Sequence, residues 1–355
     1  MFRILLLSSL LLSLGSCGGK FTNLSSVPEI SGNMRATAGH TANWKLISEY
    51  RMPPGEGSFT KNFEFTREFR LWSRGSADSR GNQLMYSDDF GKSWKFVDAP
   101  ARGVGADGVV SFFDSRQGWA IDSSSILKTE DGGSSWKSVT APNESRINSF
   151  TSLTFTDADH GYLAGSTTLM ERGSGTINLG IEILCTSDAG KVWRVCYQND
   201  TKNTVLKIVS LGNLTLALVD QKILLITSDN GVTWKQKRWE FPATDIAASP
   251  DGALWTTGED GFLRSSKNLG DTWEITPTEN SKDPDLSWTS ISFDKTGLGV
   301  AVGSNGNIAS TPDAGISWEF HKLGLAWNLW TVRVQSPYVA ILDQSRLSVF
   351  RIGAQ

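Results

Sequence analysis

The residues best suited to chemistry in this sequence are aspartates that recur between a hydroxyl residue and a glycine. An eight-residue motif has Ser or Thr first, Asp third, Gly fifth, Ser or Thr seventh and Trp eighth. It occurs at 87–94, 129–136, 227–234 and 311–318, with variant copies at 186–193 and 266–273. The variants carry Val192 at the seventh position and Asn268 at the third. A carboxylate beside hydroxyl groups suits acid–base catalysis, and it equally suits a turn in which it accepts backbone N–H groups.

We interpret each motif as a turn between two strands. The Asp side chain accepts hydrogen bonds from the turn, the Gly supplies a positive φ, and the Trp ring packs beneath the hairpin. The residues with this structural role are Asp89, Gly91, Trp94, Asp131, Gly133, Trp136, Asp188, Gly190, Trp193, Asp229, Gly231, Trp234, Asn268, Gly270, Trp273, Asp313, Gly315 and Trp318. No catalytic role is assigned to them.

Other patterns typical of enzymes are missing from the sequence. The three histidines, His40, His160 and His321, form no metal-binding spacing, and no Gly-x-Ser-x-Gly elbow is present. The Phe/Tyr-Arg-Ile-Pro segment of sialidases is absent as well. We therefore expect no enzyme activity, no cofactor and no metal. Glycoside hydrolysis by two carboxylates that the fold brings together stays open as the alternative.

The spacing of the motifs indicates a repeat architecture. Successive motif tryptophans are 42, 57, 41, 39 and 45 residues apart, which falls in the range of propeller blades. The unit around the second motif has four short β patterns at 109–113, 118–121, 126–129 and 137–139. Four strands make one blade, so the motif joins the third strand to the fourth.

The end of the chain lacks one strand, and its beginning can supply it. Three β patterns follow the last motif, at 330–334, 339–342 and 347–352, with no fourth. The segment 42–48 has Trp44 where a motif tryptophan would lie. We predict an all-β fold for residues 43–355: a seven-bladed propeller of four-stranded antiparallel blades, closed by the N-terminal strand in the last blade. A six-bladed ring is the alternative.

The first 42 residues indicate export. Arg3 precedes the short apolar run 4–14, and the sequence Leu-Gly-Ser-Cys ending at Cys17 resembles the lipobox of bacterial lipoproteins. We predict a signal peptide at 1–16, a lipid on Cys17 and a flexible tether over 17–42, so that the lipid binds the protein to a membrane. The alternative is an ordinary signal peptide with an incidental cysteine.

The amino-acid composition excludes several classes of protein. The 355 residues carry a net charge of -3 with 20% charged side chains, which argues against a nucleic-acid partner and against disorder. Three cysteines are too few for a disulfide-dense scaffold. Cys185 and Cys196 flank the third motif at positions that face each other across a hairpin, so a cross-strand disulfide is one interpretation and two buried thiols the other.

Two regions are candidates for binding a partner. One is a group of arginines in the first blade, Arg67, Arg70, Arg74 and Arg80, whose alternative interpretation is a solvated strand face. The other is an insertion of about 15 residues between the second and third strands of the third blade, which includes Glu171 and Arg172. We expect the insertion on the face opposite the motifs, where it is either a functional loop or a tolerated surface insertion.

The repeat as a whole resembles two known groups. The motif is similar to the Asp-box, or bacterial neuraminidase repeat, which itself carries no chemistry. In the second blade Phe113 and Asp114 precede Gly118 and Trp119, and then the motif, as in the photosystem II stability and assembly factor family. That resemblance implies a lipid-anchored, non-catalytic scaffold that binds another protein, and we expect it to be a monomer. The export signal and Cys17 predict a location on the periplasmic or cell-surface side of a membrane, or on the lumenal side of the thylakoid if the source is a cyanobacterium. A cell-surface glycan-active or glycan-binding propeller is the alternative function.

Overall fold

The computed structural model describes most of the chain after residue 42. The described residues are 43–51, 59–66, 69–76, 82–97, 109–121, 125–171, 175–276, 285–323, 328–343 and 345–353. The predicted signal peptide, Cys17, Arg67, Arg80 and Arg172 lie outside them. No helix within these ranges is long and apolar enough to cross a bilayer.

The described chain forms seven four-stranded antiparallel sheets. The first strand, β1 (Asn43–Arg51), belongs to blade 7. Blade 1 contains β2 (Phe59–Phe65), β3 (Leu71–Ser76), β4 (Asn82–Ser87) and β5 (Lys95–Phe96). Blade 2 contains β6 (Val109–Phe112), β7 (Gly118–Ile121), β8 (Ile126–Thr129) and β9 (Lys137–Val139). Blade 3 contains β10 (Ser149–Phe155), β11 (Gly161–Glu171), β12 (Gly175–Thr186) and β13 (Arg194–Asn199).

The remaining blades continue in the same order. Blade 4 contains β14 (Val205–Leu211), β15 (Leu214–Val219), β16 (Ile223–Thr227) and β17 (Lys235–Arg238). Blade 5 contains β18 (Ala243–Ala248), β19 (Leu254–Gly258), β20 (Leu263–Ser266) and β21 (Glu274–Thr276). Blade 6 contains β22 (Trp288–Phe293), β23 (Gly299–Gly303), a 3-10 turn (Ser304–Gly306), β24 (Asn307–Thr311) and β25 (Glu319–Lys322). Blade 7 contains β26 (Leu329–Gln335), β27 (Tyr338–Asp343), β28 (Arg346–Gly353) and β1.

The seven-bladed ring closed by the N-terminal strand is confirmed, and the six-bladed alternative is wrong. β1 runs antiparallel to β28, from the pair Asn43↔Gly353 to the pair Arg51↔Arg346. Trp44 packs edge-on against Phe350 at 5.6 Å. The ring is therefore closed by backbone pairing between the two ends of the chain, which leaves no unpaired strand at the junction.

The core lies between neighbouring blades. Trp72 in blade 1, for example, is fully buried and stacks on Phe112 at 5.1 Å, with Trp136 of blade 2 edge-on at 5.8 Å. The second and third strands of blades 2, 4, 5 and 6 are almost wholly buried because these sheets are covered on both faces. Most of the stability therefore comes from contacts between blades, as in repeat architectures in general.

The six motif turns lie at one end of the ring, together with the turns between the first and second strands. In blades 2, 3 and 6 the fourth residue of the motif donates its N–H to a carbonyl of that neighbouring turn, at 2.8 to 2.9 Å. We call this end the motif rim and the other end the distal rim. β1 begins and β28 ends at the motif rim, since both pair there through Asn43 and Gly353.

The insertion in blade 3 forms a hairpin. Its strands β11 and β12 have 11 and 12 residues, whereas the second and third strands of other blades have 4 to 8. The expectation of a loop is replaced by two paired strands that continue beyond the ends of their neighbours. They project from the distal rim, because the connection between the second and third strands lies there.

Candidate functional site

The inner strands of all seven blades surround a central channel of about 750 Å³. Most of its lining is polar, with hydroxyl groups from Ser111, Thr151, Thr244 and Thr289 among others. At each height along the channel axis, every blade contributes one residue of its inner strand. Side chains that are far apart in the sequence therefore lie next to each other around the channel. The channel is a concave site with polar groups converging on it, so it is the first place to look for a ligand or a reaction.

Four charged residues project from inner strands into this channel: Glu64 on β2, Lys207 on β14, Asp245 on β18 and Arg333 on β26. Their side chains are only 9 to 32% exposed. Two are positive and two negative, so the group carries no net charge when all four are ionised. We call these residues the axial quartet.

Asp245 connects three blades. One carboxylate oxygen lies 2.6 Å from Lys207 Nζ in blade 4, and the other accepts bonds from Ser290 Oγ and from the Ile291 N–H in blade 6, at 2.9 and 3.0 Å. The Ile246 N–H donates to it as well, at 2.8 Å. Asp245 is therefore committed to holding blades 4, 5 and 6 together.

At the equivalent position of blades 3 and 6, a neutral serine hydroxyl links the inner strand to that of the next blade. Ser152 Oγ in blade 3 accepts the Ile208 N–H of blade 4 at 2.9 Å. Ser290 Oγ in blade 6 accepts the Val332 N–H of blade 7 at 3.4 Å. Lys207 occupies this position in blade 4 and has no acceptor oxygen, so it bonds to Asp245 instead. The Lys207–Asp245 ion pair therefore links blades 4 and 5 where a serine-to-backbone hydrogen bond links blades 3 and 4 and blades 6 and 7.

Glu64 and Arg333 meet where the ring closes. Arg333 Nε in blade 7 lies 3.6 Å from the Glu64 carboxylate in blade 1, and its guanidinium stands over the Phe63 ring at 5.7 Å. Burial raises the pKa of the Glu64 carboxyl above its ordinary value, although the charges of Arg333 and Lys207 oppose that shift. Burial also lowers the pKa of Lys207 against the attraction of Asp245.

The two carboxylates of the quartet differ in what chemistry they could do. Glu64 has the raised pKa expected of a general acid, and it faces a channel large enough for a sugar or a peptide. Asp245, in contrast, has its oxygens occupied by Lys207 and three donors from neighbouring blades, so it is poorly suited to act as a nucleophile or a base. No group of three or more potential metal ligands occurs among the described residues.

The motif residues form closed hydrogen-bond sets within their turns. In blade 2, Asp131 accepts the Thr129 hydroxyl at 2.8 Å, the Ser135 N–H at 2.9 Å and the Ser135 hydroxyl at 2.6 Å. The motifs of blades 1, 4 and 6 repeat these bonds. The hydroxyl and the N–H of Ser135 lower the pKa of Asp131 to about 2, and Thr233 does the same for Asp229. These aspartates are therefore turn acceptors that stay ionised at neutral pH.

The two variant motifs keep the turn with a different set of hydrogen bonds. Asn268 accepts the Thr272 N–H at 2.9 Å and donates its amide to the Thr272 hydroxyl at 2.8 Å. Asp188 accepts the Val192 N–H at 3.0 Å, but Val192 has no hydroxyl to offer. The turn thus needs an acceptor at the third position more than it needs the hydroxyl at the seventh.

The motif glycines allow the blades to approach each other. Gly133 has φ +85°, and a Cβ placed on it would lie 2.3 Å from the Trp72 ring of blade 1. Gly315 meets Trp255 of blade 5 in the same way, at 2.1 Å. Only glycine combines a positive φ with the absence of a side chain that would strike the neighbouring ring.

Cys185 and Cys196 are joined by a disulfide, with their α-carbons 5.9 Å apart. The bond lies at the interface with blade 4, because a Cβ on the motif glycine Gly231 would stand 2.5 Å from Cys185 Sγ. In blades 1, 2 and 5 a tryptophan occupies this place beneath the next glycine: Trp72, Trp119 and Trp255. The disulfide fills the corresponding space between blades 3 and 4.

The partner-binding candidates are only partly described. Arg70 Nε lies 2.6 Å from Asp88, its Nη1 donates to the Gly132 carbonyl of blade 2 at 2.7 Å, and its guanidinium stands over the Tyr86 ring. Arg70 therefore links blade 1 to blade 2. The backbones of Arg74 and Glu171 lie in β3 and β11, and nothing is described of their side chains. The structure brings none of these residues together with the axial quartet.

Sequence reasoning missed the quartet. Its members are 38 to 269 positions from their partners, so no local spacing joins them. A usable signal was present, since a charged residue in a strand expected to be innermost is costly unless it is paired. Lys207 and Asp245 each stand in such a strand.

Comparisons with known proteins agree with this architecture. The family model described as photosynthesis system II assembly factor YCF48 matches residues 87–237. No curated protein matches the sequence significantly. One similar solved structure, described as YCF48 bound to D1 peptide, is 16% identical with a TM-score of 0.65, and the match covers 92% of this chain and 99% of that one. YCF48 from Cyanidioschyzon merolae is 16% identical with a TM-score of 0.63, covering 87% and 98% of the two chains.

Propellers with other functions are similar in fold. An inactive variant of virginiamycin B lyase from Staphylococcus aureus, with quinupristin, is 12% identical with a TM-score of 0.66 and coverage of 87% and 99%. At such identities the likeness concerns the fold alone. Only the match to the family model favours the YCF48 structures over the lyase as relatives of this chain. That match covers blades 2 and 3 together with parts of blades 1 and 4. The chain is a seven-bladed propeller that resembles the photosystem II assembly factor family over residues 87–237, the resemblance that the Phe-Asp and Gly-Trp repeats of its sequence indicated.

Proposed function

We propose that this protein is a lipid-anchored, non-catalytic propeller that binds another protein as a scaffold or assembly factor. The observation that carries the proposal is the family match over residues 87–237. The described geometry supports it, because the motif aspartates and Asp245 have their oxygens engaged in the fold. A related propeller is described as bound to a peptide of D1, so the proposed partner is a polypeptide segment.

The proposed location is the outer side of a bacterial membrane, with a diacylglycerol on Cys17 as the anchor. The support is the sequence from Arg3 to Cys17. Replacing Cys17 by alanine removes the thiol that would carry the lipid. Cys17→Ala should move the mature protein from the membrane to the soluble fraction of fractionated cells, and continued retention would count against the anchor.

The scaffold is tested by crosslinking and affinity capture of the full-length protein from its native membranes. We expect one partner to crosslink reproducibly, and to do so in the presence of a large excess of unrelated membrane protein. A variant with a destabilised motif turn serves as the control for folding, because it should lose the partner only in proportion to its loss of folded protein.

A second function has one observation in its favour. Glu64 has a raised pKa and faces the central channel, as a glycosidase acid would. A screen of glycans and fluorogenic glycosides, run beside the capture experiment, distinguishes the two. Specific turnover that is lost in Glu64→Gln would favour a glycan-active enzyme over a scaffold.

A further inference from the structure

Three apolar side chains on the motif rim stand out by their exposure. Val192, Val232 and Ile316 are 67, 73 and 87% exposed, and all three lie at the tips of motif turns in blades 3, 4 and 6. Val232 and Ile316 occupy the sixth position of the motif, where blades 1 and 2 have Lys92 and Ser134. An apolar side chain is thus not needed there to form the turn.

Val192 removes one side-chain hydrogen bond from its own turn. It occupies the seventh position, where a serine or threonine hydroxyl bonds to the motif carboxylate at 2.6 Å in blades 1, 2, 4 and 6. With Val192 that bond is missing and Asp188 has only backbone donors from the following residues. The turn gives up a hydrogen bond and exposes a larger apolar surface instead.

The same rim carries an aromatic cluster at the junction of blades 7 and 1. The rings of Phe69 and Phe90 lie 4.9 and 4.6 Å from Tyr338, and all three residues are partly exposed. Phe90 occupies the fourth position of its motif, where blade 2 has Gly132. Partly exposed aromatic rings and isolated aliphatic tips on one surface are the side chains that favour the boundary between lipid headgroups and acyl chains.

The chain also leads from this rim toward the proposed lipid. β1 begins at the motif rim with Asn43, and residues 18–42 connect it to Cys17. Those 25 residues could reach about 85 Å when extended, so the tether alone would let either rim meet the membrane. The side chains of the rim must therefore decide the orientation.

We propose that the motif rim lies on the lipid surface, with Val192, Val232 and Ile316 inserted among the headgroups and the aromatic cluster beside them. This inference rests on the proposed lipid anchor, since it describes how the anchored ring is oriented. Exposed charges on the rim are of both signs, such as Lys191, Lys267 and Asp271, so the contact is mainly apolar. The distal rim, with the blade 3 hairpin and the other channel mouth, then faces away from the membrane and is free for the protein partner.

Depth measurements on the lipidated mature chain test the orientation. The protein is bound to phosphatidylcholine vesicles that contain spin-labelled lipid, with a fluorophore on Ile316→Cys or, as the control, on Leu169→Cys. Leu169 is 53% exposed on the blade 3 hairpin at the distal rim. The fluorophore at 316 should be quenched by the lipid and the one at 169 should not. Quenching at 169 alone, or at neither position on vesicle-bound protein, would overturn the proposal.

A second arm separates the rim from the anchor. The mature chain, residues 17–355, with Cys17→Ala is mixed with the same vesicles at high lipid concentration and at low and high salt. Val192→Ser, Val232→Ser and Ile316→Ser together should lower its partition about tenfold, with little effect of salt, whereas Leu169→Ser with Leu179→Ser should leave it unchanged. Equal partition of both variants, or none for the unsubstituted Cys17→Ala chain, would overturn the orientation. Lack of a lipid on the native protein would overturn the anchor alone.

Discussion

Replacing Gly133 by alanine should destabilise the ring more than its backbone conformation alone explains. Gly133 has φ +85°, and its new Cβ would stand 2.3 Å from Trp72. Trp72 is fully buried between Phe112 and Trp136 and has little room to move. The positive φ costs about 1–2 kcal/mol for alanine, and forcing a methyl group into a packed site costs about 1–3 kcal/mol more. We expect a total loss of about 2–5 kcal/mol.

Gly252 offers a matched control. Its φ is +92°, close to that of Gly133, but no heavy atom lies within 4 Å of a Cβ placed there. Gly252→Ala should therefore cost only the conformational part, about 1–2 kcal/mol. The difference between the two variants isolates the contact between blades 1 and 2.

The free energy of unfolding of both variants is measured by urea titration, followed by circular dichroism and by tryptophan fluorescence. Coincident transitions by the two probes justify a two-state treatment. Equal losses for Gly133→Ala and Gly252→Ala would refute the claim that motif glycines are there to let neighbouring blades approach.

Three further outcomes follow from the structure. Cys196→Ser, measured by urea titration, should lower the free energy of unfolding by about 2–3 kcal/mol and keep the fold, since the disulfide closes a short loop. Stability should fall as the pH drops from about 4 toward 2, because Asp131 and Asp229 have pKa values of about 2 in the folded protein and must take up protons; a pH series of unfolding midpoints checks this. Lys207→Met should cost about 1–3 kcal/mol, because it leaves the Asp245 carboxylate without its cation in a partly solvated channel.

Each of these has its own control. For the disulfide, the reduced wild-type protein should match Cys196→Ser. For the pH series, Asp131→Asn should flatten the decline below pH 4, since the sign follows from a carboxyl whose folded pKa lies below its unfolded value. For the axial pair, the double variant Lys207→Met with Asp245→Asn should recover part of the loss. Failure to recover any of it would show that the two charges are not coupled.

Much of the ring follows from the sequence because its signals are local. The strands β7, β8 and β9 begin and end where the glycine turns and the motif of blade 2 predict. The closing strand β1 was also predictable, since three terminal strands without a fourth leave an open edge that another segment must cover. The motif positions fix one turn in each of blades 1 to 6, so they set the order of the strands in those blades.

The candidate site depends on contacts that local patterns do not encode. The pairing of Arg333 with Glu64 joins the last blade to the first, and that of Lys207 with Asp245 joins two inner strands. Each pair exists only once the ring is closed. The blade 3 insertion was expected as a loop, but its alternating Thr and aliphatic residues allow β11 and β12 to continue as a hairpin. Exposure of the motif rim is likewise a property of the assembled ring.

The claim that the axial carboxylates hold blades together and catalyse nothing is tested most directly by glycoside turnover. A panel of glycans and fluorogenic glycosides is incubated with the wild-type protein and with Glu64→Gln. Neither protein should give turnover above the buffer rate. Saturable turnover by the wild type that Glu64→Gln abolishes, with an unchanged urea midpoint, would contradict the claim.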